Sequence, residues 1–282
     1  MITLGLTTWS EHQSLINNEQ RPVTLAEYAA NFPVVEIDTS FYAIPSVQTI
    51  QKWQSQVPPA FHFILKAPST LTFQSREKQN SSQVRLTCQA FAAALGPLRE
   101  KQQLTTALFQ FPPFFHAERK NINYLAFLRQ QLPHLPIAIE FRHQSWYKAA
   151  YRPSLISFCQ QEHFTLVAAD EPQSTMASVP FVIAPTNQDL VLLRLHGRNS
   201  IGWRDSGRQW RKKRTLYRYS KDELAEFKNA VQKLEGRVNE ICVIFNNNSA
   251  GDAAPNAKQL QEMLGLHFKH LGPTPPEQTS LF

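Results

Sequence analysis

The chain has 282 residues, 42% of them hydrophobic, with a formal net charge of +7 at neutral pH. That is enough for one sizeable core, and no run approaches the ~18 consecutive apolar residues of a membrane span, so no membrane partner is expected. Cys88, Cys159 and Cys242 are odd in number and lack metal-ligand spacing, which speaks against a disulfide framework and reads as reduced core thiols.

The first apolar run, Ile2 to Thr8, is a strand starting so near the amino terminus that no secretion signal fits before it, and a cytoplasmic location is expected. Thr24 with Glu27 forms a capping-box pattern opening a helix over Leu25 to Phe32. Val34 to Asp38 is the second strand; Glu36 and Asp38, two apart, leave it on one face. A helix over Ser46 to Gln56 leads to a strand from Phe61 to Lys66. A helix over Ser82 to Leu95 then leads to a strand from Ala107 to Gln110. After a helix over Asn121 to Leu132, Ile137 to Ile139 is a short β-branched run that breaks into Glu140 and Arg142. A helix over Pro153 to Glu162 precedes the strand Leu166 to Asp170, whereas Pro172 to Pro185 shows no clean helical period. Val191 to His196 carries Arg194 and His196 two apart. Ser220 with Glu223 opens another helix, Ile241 to Asn246 is the last strand, and Pro255 to Leu264 the last helix.

Eight strands alternating with about seven helices predict a TIM-like (β/α)8 barrel, a single domain over 1–270, with a weak or missing sixth helix and a long basic loop after strand seven. An open doubly wound sheet competes. It is disfavoured because no Gly-x-Gly-x-x-Gly turn follows the first strand and no phosphate-binding Gly-x-x-x-x-Gly-Lys loop occurs.

Five stretches together, Glu36 to Tyr42, Phe109 to Pro113, Glu140 to Trp146, Arg194 to Gly197 and Phe245 to Asn247, resemble the serial signatures of the YecE-like family. That family carries the label domain of unknown function 72. The resemblance runs in order from Gly5 to Ala257. It implies a TIM-like barrel and no particular reaction, so function is argued from the site.

In such a barrel the strand ends meet at one face. Glu36, Lys66, Glu140, Asp170 and His196 are the candidate catalytic residues, with Glu36 or Glu140 as base and His196 as general acid or orienting donor. Arg142, Arg194, Gln110 and Asn246 are the candidate anion binders, and Trp9, Asp38 and Tyr42 line the rim. Lys66 has a second reading as an amine nucleophile and a plainer one as an ion-pair partner of Glu36 or Asp38. The near balance of carboxylates and cations argues against a required metal. No cofactor is expected, although a metal entering with the substrate stays open.

From Arg198 to Tyr219 eight cations are interleaved with Trp203, Trp210, Tyr217 and Tyr219, against one acid, Asp205. Arg204, Arg208, Trp210, Arg211, Lys212, Lys213 and Arg214 are therefore candidate nucleic-acid contacts, the competing reading being a lid over the barrel mouth. Residues 271–282 form a flexible, proline-rich tail. Its last five, with Gln278, Leu281 and Phe282, resemble the peptide by which bacterial DNA-handling proteins hold the sliding clamp, except for Thr279 where leucine is common. The leading expectation is a barrel enzyme acting on DNA or another phosphorylated sugar backbone, with DNA and the clamp as partners. A sugar-phosphate isomerase or aldolase and a non-catalytic anion-binding module are the alternatives.

Overall fold

The computed structural model describes residues 1–16, 20–75, 80–173, 178–204, 207 and 213–273. Arg208, Trp210, Arg211 and Lys212 of the basic loop, and Gln278, Leu281 and Phe282 of the tail, lie outside the described residues. The strands are β1 (Ile2–Thr7), β2 (Val34–Ile37), β3 (His62–Lys66), β4 (Leu104–Gln110), β5 (Ile137–Glu140), β6 (Phe164–Leu166), β7 (Ala168–Asp170), β8 (Leu190–Leu195) and β9 (Glu240–Phe245). All pair in parallel, in the order β6-β5-β4-β3-β2-β1-β9-β8-β7.

The two ends of that order are one stretch of chain. The run expected as a single sixth strand divides at Val167: β6 pairs with β5, and β7 pairs with β8. The sheet therefore closes into a barrel of eight positions, and the seam runs through residues 164–170 rather than along a continuous ladder. Thr186 makes up for the missing partner of β6, its hydroxyl accepting from Leu166 N at 2.9 Å and donating to Phe164 O at 2.7 Å. This explains the weak helical signal over 172–185. The segment returns beside the seam to satisfy backbone groups, and its described residues form no helix.

The other crossovers are helical: α1 (Leu25–Ala29), α2 (Val47–Gln54), α3 (Ser81–Ala94), α4 (Gly96–Glu100), α5 (Arg119–Gln131) and α6 (Arg152–Gln161), then α7 (Ser200–Arg204), α8 (Lys221–Gln232) and α9 (Ala253–Met263). The expected capping boxes form at Thr24 with Glu27 and at Ser220 with Glu223. Two short helices were not expected: α4, begun at Gly96-Pro97, and α7 inside the basic loop.

One apolar layer packs between strands and helices. A second, built from Val34, Ile64, Leu108, Ala138, Val167, Leu192, Cys242 and Ile244, fills the barrel interior. Burying each such Val, Leu or Ile side chain stabilises the fold by roughly 1.5–3 kcal/mol, an upper estimate. Gly5 completes the interior by having no side chain, because a Cβ there would lie 2.3 Å from Val34 O. Two residues beyond these apolar positions the inward residue becomes polar: Glu36 after Val34, Lys66 after Ile64, Gln110 after Leu108, Glu140 after Ala138, Arg194 after Leu192 and Asn246 after Ile244. The period of two along a strand thus stacks a charged layer on an apolar floor.

Candidate active site

Arg194 is the centre of the charged layer and is fully buried. Its Nε donates to Glu36 Oε2 at 2.8 Å and its Nη2 to Glu36 Oε1, while Nη1 donates to Glu140 Oε2 and lies 3.3 Å from Gln110 Oε1. One guanidinium therefore joins β2, β4, β5 and β8. A planar fork with five donors suits this task, and the ammonium of a lysine would not.

Arg142, just beyond β5, makes the second junction. Its Nε lies 2.5 Å from Glu140 Oε1, Nη1 pairs with Glu171 Oε1, and Nη2 lies 3.0 Å from His196 Nε2. On the far side of that ring, Asn246 Nδ2 lies 2.8 Å from His196 Nδ1, and Thr7 Oγ1 donates to Asn246 Oδ1 at 2.7 Å. A neutral ring has one N–H, and Glu140 Oε1, 3.3 Å from Nε2, can accept it while Nδ1 accepts from Asn246 Nδ2. Burial, reinforced by Arg142, depresses its pKa to about 3 despite the nearby Glu140. Of the two roles expected for His196, general acid or orienting donor, the lowered pKa favours the second, with Arg142, Asn246 and Glu140 as the ring's neighbours.

The carboxylates differ in the same small space. Burial raises Glu140, but Arg142 and Arg194 outweigh it and hold the group well below the usual carboxylate range. Burial pushes Glu171 up to about 7 against the pull of Arg142, and burial also raises Glu36. Glu171 was missed in the sequence, where Asp170 was taken as the end of its strand. Counting by two from the inward-facing Val167 would have reached Glu171.

Asp170 is placed elsewhere. Its carboxylate accepts from Arg198 Nε at 3.1 Å and from Tyr219 OH at 2.8 Å, and Arg198 continues to Glu223 and Glu226 on α8. Two of the loop aromatics expected to stack on bases belong to this cluster, since Tyr219 is buried and Tyr217 OH donates to Glu223 Oε1 at 2.6 Å. The cluster ties α8 to the ends of β7 and β8. Asp170 is accordingly a fastening residue and not one of the charged layer.

The open edge of the layer lies between β2 and β3. Lys66 Nζ sits 3.4 Å from Asp38 Oδ1, the plainer reading of that lysine, and 5.1 Å above the Phe41 ring. Burial tends to raise Asp38, but Lys66 and Arg194 lower it overall. Of this pair, Asp38 retains 34% exposure of its side chain. Trp9 packs edge-on against Trp53, and Tyr42 stands out at the rim.

Over Arg142 lies Trp203 of α7, whose ring is 5.5 Å from the Arg142 guanidinium carbon and 4.8 Å from that of Arg214. A Cβ at Gly202 would lie 2.3 Å from Lys213 O, so α7 and the returning chain are in tight contact. Trp203 is buried, while Arg204 and Lys213 are exposed.

Glu140, Glu171 and His196 offer ligand atoms within 4.8 Å of one another, a metal-like grouping. Arg142 touches all three, however, and its positive charge fills the place a cation would take. The donor set does not fit a resident metal while that guanidinium is there. Among the described residues, no helix is long and apolar enough to cross a membrane.

The family described as "Protein of unknown function DUF72" matches residues 3–280. The Bacillus subtilis protein YunF is 37% identical over 285 residues, covering 100% of both chains, and Escherichia coli K12 YecE is 35% identical over 75 residues, 27% of this chain and 26% of YecE. A DUF72 family protein from Enterococcus faecalis V583 has a crystal structure with TM-score 0.91, 41% identity, and coverage of 97% of this chain and 98% of that one. Another, from Thermotoga maritima MSB8, gives TM-score 0.79 at 29% identity over 94% and 100% of the two chains. With one family matched almost from end to end, and the same barrel in these relatives, the chain belongs to the DUF72 family.

Proposed function

We propose that the barrel mouth is an acid–base active site for a phosphorylated sugar backbone, with DNA as the leading substrate and phosphodiester hydrolysis or lyase cleavage as the reaction. The observation that carries this reading is the Glu140 and Glu171 pair: two carboxylates on one guanidinium whose proton affinities are driven apart, Glu140 down and Glu171 up to about 7. Such separation is the usual way a site assigns acid and base roles at neutral pH. Glu171 is the group able to take a proton from water or from a sugar carbon and return it to the departing oxygen. Glu140 stays ionised and holds both arginines, and Lys66 offers a cation at the open edge.

The net charge of +7, with Arg204 and Lys213 exposed beside the mouth, supports a polyanion as substrate. Tethering to the sliding clamp through Gln278, Leu281 and Phe282, and a cytoplasmic location, belong to the same proposal. Binding of the full chain to labelled single-stranded, duplex and abasic DNA across a salt series, followed by incision assays, tests it. Salt-sensitive binding and cleavage, with cleavage lost in Glu171→Gln, are expected. Absence of binding at low salt removes the nucleic-acid reading.

A second reading rests on Trp203. An indole seated over Arg142 suits a lid that closes on one small phosphorylated sugar. Turnover of a sugar phosphate with no response to DNA would favour it.

A further inference from the structure

The described residues include four exposed aromatic side chains, and all four are on one face of the molecule. Tyr42, Phe73, Phe114 and Tyr151 are between 43% and 72% exposed. They occupy the loops that follow β2, β3, β4 and β5, four neighbouring positions around the same mouth that holds the charged layer. Among the described residues, the helices and the opposite rim carry none. Isolated exposed apolar residues need no explanation, but an arc of flat rings beside a polar site does.

Two of the rings are held in place. Phe73 has φ 57°, the left-handed region, an unusual conformation for a bulky side chain. Its ring is braced by Tyr124 at 4.5 Å and Phe115 at 5.5 Å, centroid to centroid. Tyr42 stands edge-on to Phe41 at 5.1 Å, and Phe41 in turn carries Lys66 over its face, so the arc runs into the open edge of the site. Rings fixed outward lose little side-chain freedom when a partner stacks on them.

We propose that this arc is a track for the unpaired bases of a single-stranded nucleic acid, whose backbone is attracted by the exposed cations after β8. The inference rests on the nucleic-acid reading above and narrows it from DNA in general to strands with accessible base faces. Duplex DNA hides those faces in its stack, whereas any unpaired base offers one. A neutral polysaccharide also stacks on aromatic rings, but a chain of net charge +7 gives it no electrostatic attraction.

The test uses anisotropy of labelled oligodeoxythymidylate, a duplex of equal length, and an oligomer of abasic sites that keeps every phosphate and lacks bases. The proteins are the full chain and its Tyr42→Ala/Phe114→Ala/Tyr151→Ala variant. Phe73 is left unchanged because its packing braces the loop. The wild type is expected to bind the base-bearing strand at least about tenfold more tightly than the abasic oligomer, taking the lower end of base–ring stacking for only two of the rings. The variant should lose that preference, retain the salt dependence, and regain affinity when Tyr42 and Tyr151 are replaced by Trp. Equal binding of base-bearing and abasic oligomers by the wild type, or an undiminished preference in a variant that melts with the wild type, overturns the track. If abasic and duplex DNA are still bound and cleaved, only the track falls. If no nucleic acid binds, the proposed function falls with it; retention on a neutral glucan, lost in the same variant, would then identify a sugar polymer as the occupant and overturn the track as well.

Discussion

Arg194 and Arg198 lie four residues apart and both bind carboxylates, yet one is enclosed inside the barrel while the other fastens the barrel to a helix. Arg198 reaches from the end of β8 to Asp170 on the paired strand β7 and to Glu223 and Glu226, so it ties α8, which no backbone ladder joins, to the sheet, and its side chain keeps 23% exposure. Arg194 reaches across the barrel interior from β8 to β2 and β5, neither of which pairs with β8, and it, Glu36 and Glu140 are fully buried. Ion pairs so deeply buried recover their desolvation cost poorly and rarely stabilise a fold more than apolar packing would. The outer network has a structural purpose. The inner one bridges the barrel at a desolvation cost that apolar packing would avoid, and that cost is the reason for assigning chemistry to it.

Removing the inner cation should have the largest effect. Arg194→Met leaves Glu36 and Glu140 buried without their shared partner, and a loss of about 3–5 kcal/mol in urea unfolding at neutral pH is expected. Partial recovery on acidification, as the two carboxylates become neutral, would sharpen the comparison; a stability equal to wild type would break it.

The next effect concerns pH. Glu171 is raised on folding, so the folded state holds its proton where the unfolded chain has released it. Its contribution is complete below the unfolded value near 4.5 and is lost as pH rises through about 7. Wild type is expected to lose on the order of 2–3 kcal/mol from this group between those limits. Glu171→Gln should flatten that part of the stability profile, and parallel profiles for the two proteins would refute the assignment.

Asp170→Asn addresses the outer network. It weakens the hold on Arg198 but leaves Glu223 and Glu226, so a loss of about 1–2 kcal/mol is expected, with any DNA cleavage unchanged per folded molecule. If cleavage disappears while folding persists, the division between networks is wrong. Lys66→Met should have the smallest effect on stability, about 0–1 kcal/mol, because Asp38 is partly exposed. A large loss of turnover in that stable variant would mark Lys66 as part of the chemistry.

The strands were legible because a buried parallel strand reads as a short apolar run, and because inward residues recur every two positions. Glu36, Glu140, Arg142, Arg194 and His196 are all one to three residues past such runs, and the structure brings them into one network. At Asp170 the end of the apolar run pointed to the wrong residue: the chain divides at Val167, that division leaves no local signal, and the inward register counted from Val167 leads to Glu171. Trp203, Tyr217 and Tyr219 show the other difficulty. A loop aromatic has the same composition whether it covers an arginine, supports a carboxylate or faces solvent, and only its neighbours distinguish these.

Local spacing, then, determined the barrel, the capped starts of α1 and α8, and the polar layer at the strand ends, since each depends on periodicities a few residues long. Tertiary structure alone decided proton affinities and partners. His196 is lowered because the fold buries it and sets Arg142 from another strand beside it, Glu171 rises because residues remote in sequence exclude water from it, and Glu140 falls because two arginines, one of them 54 residues away, converge on its oxygens. Charge interactions depend on distance and burial through space, and neither is a function of separation along the chain.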